Sequence, residues 1–232
     1  PRSVQKGFGI HLNDKHVVSH SSLVLVKRNN QRPATNDQRL TTKMRILKVT
    51  RCFYPALSYG GPILKLLNIA RWLVSKEHRV TVYSSNLLDG RHKMSDQTLV
   101  KTIDGIEVVY FNTALRYRWD GFQPDIFDRL DELCQFDVIH VYGLRDFLST
   151  VVCRFAGECG TPYVIEPMGM LVPISQSIRK KKLYDWLVGR RIIERASKLI
   201  ATSDQEAEEM LGWGVSQDKI LVRRNGLDLP EF

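Results

Sequence analysis

From Met44 to Val222, short runs of β-branched and aromatic residues alternate with longer stretches whose apolar positions recur three and four apart. That alternation constrains the fold more than any single motif, because strands separated by helix-length segments pair in parallel and need cover on both faces. The strand-like runs are Met44 to Val49, His78 to Ser84, Leu99 to Ile103, Ile106 to Phe111, Val138 to Tyr142, Tyr163 to Ile165, Lys198 to Ala201 and Ile220 to Val222. Asp104-Gly105 between the third and fourth is a two-residue hairpin signal. Helices are expected from about Ile63 to Lys76, Asp125 to Leu133, Phe147 to Cys159, Ile178 to Ala196 and Asp204 to Leu211. Ser203 with Glu206 three residues on has the form of a capping box. The expected fold class is α/β: a Rossmann-like three-layer domain with a mostly parallel sheet.

Ligands on such sheets sit beyond the carboxyl ends of the strands. The candidate site residues fall there. Gly60-Gly61-Pro62 lies between the first strand and its helix, where paired glycines let backbone amides approach an anion at a helix N-terminus. No Gly-x-Gly-x-x-Gly follows the strand, which argues against a dinucleotide-dependent oxidoreductase. His140 and Tyr142, two apart in one strand, share a face. His140 reads either as a hydrogen-bonded core histidine or as a catalytic one, and the Tyr142 hydroxyl is within reach of the crevice mouth. Arg145 either pairs with Asp146, a natural N-cap, or meets an anionic group. Glu166 reads either as a solvated carboxylate or as an acceptor for sugar hydroxyls, and it opens the Pro167-Met168-Gly169-Met170 loop.

The formal charge is +9 over 232 residues, but it is unevenly placed. Residues 1–43 hold eight Lys/Arg against two Asp/Glu, and residues 44–232 hold 26 against 23. The folded part is thus only mildly basic, which weakens a nucleic-acid reading. Residues 1–43 lack periodicity and are expected to be a poorly ordered or non-native extension. Cys52, Cys134, Cys153 and Cys159 form no Cys-x-x-Cys pair. Neither a metal site nor a disulfide is expected, and reduced thiols in a cytoplasmic protein are the simpler reading. No apolar run reaches the roughly 18 residues of a membrane span. The segment from Ile178 to Ala196 carries Arg179-Lys180-Lys181-Lys182, Arg190-Arg191 and Arg195, with Leu183, Trp186, Leu187, Ile192 and Ile193 as its apolar positions. A solvated basic face is the default reading, and peripheral contact with anionic lipid on the inner face of the plasma membrane is the alternative.

From Met44 onward the chain resembles the acceptor-side, N-terminal half of glycosyltransferase family 4, retaining nucleotide-sugar transferases of the two-domain GT-B fold. The carriers are Tyr54-Pro55, Gly60-Gly61-Pro62, Asp137-Val138-Ile139-His140-Val141-Tyr142-Gly143-Leu144 and Thr161-Pro162-Tyr163-Val164, followed by Pro167-Met168-Gly169-Met170-Leu171, Ala201 to Ala207, and Arg224-Asn225-Gly226-Leu227-Asp228. The sub-pattern is similar to enzymes of lipopolysaccharide, capsule or exopolysaccharide assembly. The resemblance implies a domain over residues 44–228, a linker starting at 229–232 and a separate donor-binding domain, without which the chain is expected to be inactive. It implies Gly60 and Gly61 at the donor phosphates, Tyr142 and His140 as catalytic residues with Tyr142 at the position that approaches the donor sugar, and Arg145, Glu166, Met168 and Gly169 on the acceptor side. It implies a nucleotide diphosphate sugar as co-substrate, a glycan or lipid-linked glycan acceptor, and no cofactor or metal. Tyr142 stands where many relatives carry a second His, and Met168 where they often carry Arg or His. A free-standing glycan- or lipid-binding module without catalysis is the alternative.

Overall fold

The computed structural model describes residues 43–117, 120–172 and 178–224. The expectations for residues 1–42, for the domain's last residues 225–228 and for the linker at 229–232 lie outside them.

The eight strand-like runs form one sheet: β1 (Arg45–Thr50), β2 (Arg79–Ser85), β3 (Leu99–Ile103), β4 (Ile106–Phe111), β7 (Val138–Tyr142), β8 (Tyr163–Glu166), β9 (Lys198–Ala201) and β10 (Ile220–Val222). Two further strands, β5 (Leu115–Tyr117) and β6 (Asp120–Phe122), make a separate ribbon that the periodicity did not announce. The main sheet runs β10-β9-β8-β7-β1-β2-β4-β3. All its pairings are parallel except β3 with β4, where Asp104 and Gly105 both take positive φ (50° and 78°) in the expected tight hairpin. The chain builds outward from β1 to β2 and β4, then returns to the other side of β1 with β7. The reversal between β1 and β7 is a topological switch point, where the crossovers diverge and leave a crevice at the carboxyl edge.

Helix α1 (Gly61–Ser75) covers one face, packing Leu66, Leu67, Ala70 and Leu73 on Ile46, Val80, Val82, Val138 and Val164. The opposite face carries α2 (Phe147–Cys159), a 3-10 helix (Pro124–Gln135), and a helical run made of α3 (Ile178–Tyr184), a π-turn (Asp185–Gly189) and α4 (Arg190–Arg195), with α5 (Asp204–Gly212) beyond. The segment around Asp125 is therefore 3-10 rather than α-helical.

Two expectations are corrected. Cys134, at the end of the 3-10 helix, is disulfide-bonded to Cys159, at the end of α2, while Cys52 and Cys153 are free and buried. Their separation of 25 residues is no motif, and only the packing of these two helix ends brings the Cα atoms to 5.1 Å. The apolar positions of the 178–195 run do not form one stripe either. Ile192 and Ile193 enter the core, but Leu183, Trp186 and Leu187 face solvent. At 100° per residue Ile193 would fall in line with Trp186, seven residues before it, and the π-turn Asp185–Gly189 between them, with more residues per turn, shifts that phase. Among the described residues, no helix is long and apolar enough to cross a membrane.

Candidate active site at the carboxyl edge of the sheet

Register and pleat put a row of polar side chains on the α1 face. Lys48 of β1 pairs with His140 of β7, and Tyr142 pairs with Glu166 of β8. Side chains two apart share a face, so Lys48, His140, Tyr142 and Glu166 line up beneath α1, all at most 2% exposed. Lys65, one helical turn after Gly61, descends from α1 to one oxygen of Glu166, and Arg223, just after β10, reaches the other. The Lys48 ammonium donates to the Tyr142 hydroxyl at 2.9 Å. The His140 ring stacks on Tyr142 with centroids 4.0 Å apart.

The charges are strongly perturbed. Burial pulls Lys48 down to about 7, Arg223 and Lys65 add to this, and Glu166 opposes it. Burial also drives His140 down to about 3, so its ring is neutral at pH 7. Its Nε2 lies 3.3 Å from Glu166 Oε2 but off the line of a hydrogen bond, and neither ring nitrogen has an aligned partner among the described residues. For Glu166, burial favours the neutral acid but is outweighed by His140, Arg223 and Lys65, leaving it at about 2. With His140 neutral, we attribute the anion to the two cations in contact with it. The row thus holds one carboxylate against Lys65, Arg223 and a readily titrated Lys48, an excess of positive charge in a water-poor setting where potentials reach far.

Above this row lies the glycine turn. Gly60 has φ 89° and ψ −162°, a region essentially reserved for glycine, and it directs the chain into α1. No side chain caps α1; Pro62 has no N–H and the Ile63 amide donates to the Gly60 carbonyl at 3.3 Å, so the turn offers the Gly61 amide and the positive end of the helix dipole. A Cβ on Gly61 would meet nothing within 4 Å, so the front of the turn is open.

The remaining predicted residues occupy the same edge with different tasks. Arg145, at φ 67°, does not pair with Asp146. Its guanidinium grips Asp185 at 2.8 and 2.7 Å and also donates to the carbonyls of Met170 and Leu171, clamping the loop after β8 to the 178–195 run. Asp146 caps α2, accepting from the Ser149 amide at 2.8 Å. Glu166 is not solvated. The Tyr142 hydroxyl is turned inward to Lys48 rather than out to the crevice mouth. Met168 is half-buried at φ 53°, and Gly169 is exposed and donates its amide to Glu206 Oε1 at 2.7 Å. The other oxygen of Glu206 takes the Thr202 amide and hydroxyl, so half of the expected capping box is diverted to join the loops after β8 and β9. Sequence reasoning passed over Lys48, Lys65 and Arg223. A lysine inside the apolar run Ile46-Leu47-Lys48-Val49 was the available signal, since a lysine so placed is buried only with partners.

A hollow of about 600 Å³ lies at the opposite edge, lined by Arg45, Arg79, Glu107 and Arg129 among others. Its Arg129 is already paired with Glu132 and its Arg45 with Gln135. It also sits at the amino ends of the strands, away from the switch point. The carboxyl edge is the better candidate. Among the described residues, no group of His, Cys, Asp and Glu is arranged to hold a metal ion.

Comparison with known proteins agrees with the fold. Residues 60–226 match the family model described as a glycosyl transferase 4-like domain. No curated protein sequence matches. Among solved structures, HepE from Anabaena in complex with UDP-glucose is 18% identical over 80% of this chain and 44% of its own, with a TM-score of 0.52. The same protein in complex with UDP and glucose is 18% identical over 80% and 45%, also at 0.52. At this identity the likeness is one of fold, and this chain spans less than half the length of those it matches.

Proposed function

The chain belongs to the glycosyl transferase 4-like domain family, and from that premise we propose that it forms the acceptor-side lobe of a retaining GT-B glycosyltransferase acting in cell-surface polysaccharide assembly. The observation that carries this reading is the uncapped N-terminus of α1, with its open Gly60-Gly61 turn, one helical turn before Lys65, which joins Arg223 on the buried Glu166 of the polar row. A nucleotide diphosphate sugar held by a second lobe would present its phosphates to this turn. The Gly61 amide and the helix dipole then stabilise negative charge growing on the leaving diphosphate. His140 and Tyr142 are too deeply buried to touch a sugar, and in this reading they are positioning residues that hold Lys48 and Glu166 under the turn. Gly169 and Met168 shape the acceptor side, with Glu206 fixing their loop. Arg145 serves that side indirectly, by clamping Met170 and Leu171. The acceptor is a glycan or lipid-linked glycan, and the chemistry asks for no metal or organic cofactor.

Transfer is tested by supplying radiolabelled UDP-glucose and GDP-mannose to the 232-residue chain, alone and continued into a donor-binding lobe, with a panel of oligosaccharides as acceptors. Glycan binding by calorimetry without turnover is expected for the chain alone, and turnover when the second lobe is joined. Robust transfer by the chain alone would overturn the division of labour. Glycan binding with no transfer in either form would instead favour a binding module.

A further inference from the structure

The helical run 178–195 carries apolar residues on two sides, and the core uses one of them. Ile192 and Ile193 are buried, on the side of Asp185 and Gly189. On the other side Leu183, Trp186 and Leu187 are 55%, 76% and 54% exposed. They are three and four residues apart, so they adjoin on the helix surface. Single exposed apolar residues are ordinary, but a contiguous group centred on a tryptophan marks an interaction surface.

The surroundings of this stripe are cationic. Arg179, Lys182, Arg190 and Arg191 are exposed around it. Among the described side chains of the run, the one exposed acid is Glu194, paired with Arg190 at 3.1 Å. We propose that this stripe docks on an anionic lipid bilayer, with Leu183, Trp186 and Leu187 entering the boundary between headgroups and acyl chains and the cations meeting lipid phosphates. Charge complementarity selects this occupant. A second copy of the chain seated on the same stripe would bring the two sets of cations against each other. A bilayer offers both an apolar interior and a negative surface.

The stripe is also held rigidly. Asp185, on the opposite side of the same turn, is gripped by Arg145 at 2.7 Å, and Arg145 follows β7 at the carboxyl edge. The proposal is independent of sugar transfer, because vesicle binding and turnover are separate measurements.

Co-sedimentation of the 232-residue chain with phosphatidylcholine vesicles, with and without about one-third phosphatidylglycerol, tests it. Binding to the anionic vesicles alone, weakened by high salt, is expected. Replacing Leu183, Trp186 and Leu187 together by Ser should lower that binding by about tenfold or more, with unchanged circular dichroism. The Trp186→Phe variant guards against misfolding of the triple variant, because it should retain binding but lose most of the tryptophan quenching by brominated lipid. Equal binding by the triple variant, absence of binding by the parent, or quenching that survives Trp186→Phe would overturn the proposal. So would a dimer in analytical ultracentrifugation that the triple substitution dissolves, since a second copy would then be the occupant.

Discussion

At the scale of single residues, the two adjacent glycines of the α1 turn make opposite demands. Gly60 needs its backbone conformation, so Gly60→Ala should cost about 1–3 kcal/mol in denaturant titration. Gly61 is helical and its Cβ position is empty, so Gly61→Ala should leave stability unchanged or raise it by up to about 1 kcal/mol. If donor phosphates approach that turn, the same methyl group should lower kcat/KM for the joined two-lobe enzyme by about tenfold or more; an unchanged kcat/KM would remove Gly61 from the donor site. Lys48 supports a second prediction. The unfolded ammonium keeps its proton up to 10.5, while the folded one releases it near 7. Between pH 7 and 9 the unfolded state therefore binds more protons, and stability should rise with pH by about 2 kcal/mol. Above pH 9 the buried Cys52 thiol, pushed up to about 11, works in the opposite direction. Lys48→Met should flatten the rise between pH 7 and 9, and a slope that persists in that variant would assign it elsewhere. The sequence exposed these residues unequally. The glycine turn was legible because glycine before a helix has few other uses. Glu166 was visible as a strand end, but its burial was not, because its partners Lys65 and Arg223 lie 101 and 57 residues away.

At the scale of elements, the Arg145 clamp decides how the loop after β8 is held. Arg145 occupies a left-handed conformation that would relax in Arg145→Gly, a gain of about 1–2 kcal/mol. The same substitution strands the buried Asp185 carboxylate, a loss of about 3–5 kcal/mol. The larger effect wins, so the variant should be less stable by about 1–4 kcal/mol, with faster proteolysis near Met170 and Leu171. A stabilised variant would show that strain outweighs the clamp. The Cys134–Cys159 bond closes a loop of similar length to those in which cross-links contribute about 3 kcal/mol, and the double Ser variant should lose about that much in thermal or denaturant unfolding. Element boundaries were largely readable: β3, β4, β7, β9, β10 and α2 coincide with their sequence patterns. Two features of the elements were not read. The disulfide depends on two helix ends meeting in space. The split of Leu183, Trp186 and Leu187 from Ile192 and Ile193 follows from the π-turn between them, because the regular helical period would have put Ile193 in line with Trp186.

At the scale of the whole molecule, alternation predicted a parallel sheet but not its order, and the order creates the site. Lys48, His140 and Glu166 become neighbours only because β7 inserts beside β1 and β8 follows it. With β7 on the far side of β2, the same residues would not meet, and no local pattern separates these cases. This placement has a dynamic consequence. The strands that hold the polar row lie at the centre of the sheet, whereas the edges are β3, with its three middle residues exposed, and β10, of three residues. Local opening is easiest where few buried contacts oppose it. Amides of β1, β7 and β8 should therefore exchange hydrogen only through global unfolding, and those of β3 and β10 through local fraying, faster by about two orders of magnitude or more. Hydrogen exchange read by mass spectrometry on peptides from each strand would show this ranking. Exchange of β7 as fast as β10 would mean that the buried charges loosen the centre of the sheet, and the cationic row could not then be the preorganised floor that stabilisation of a leaving diphosphate requires.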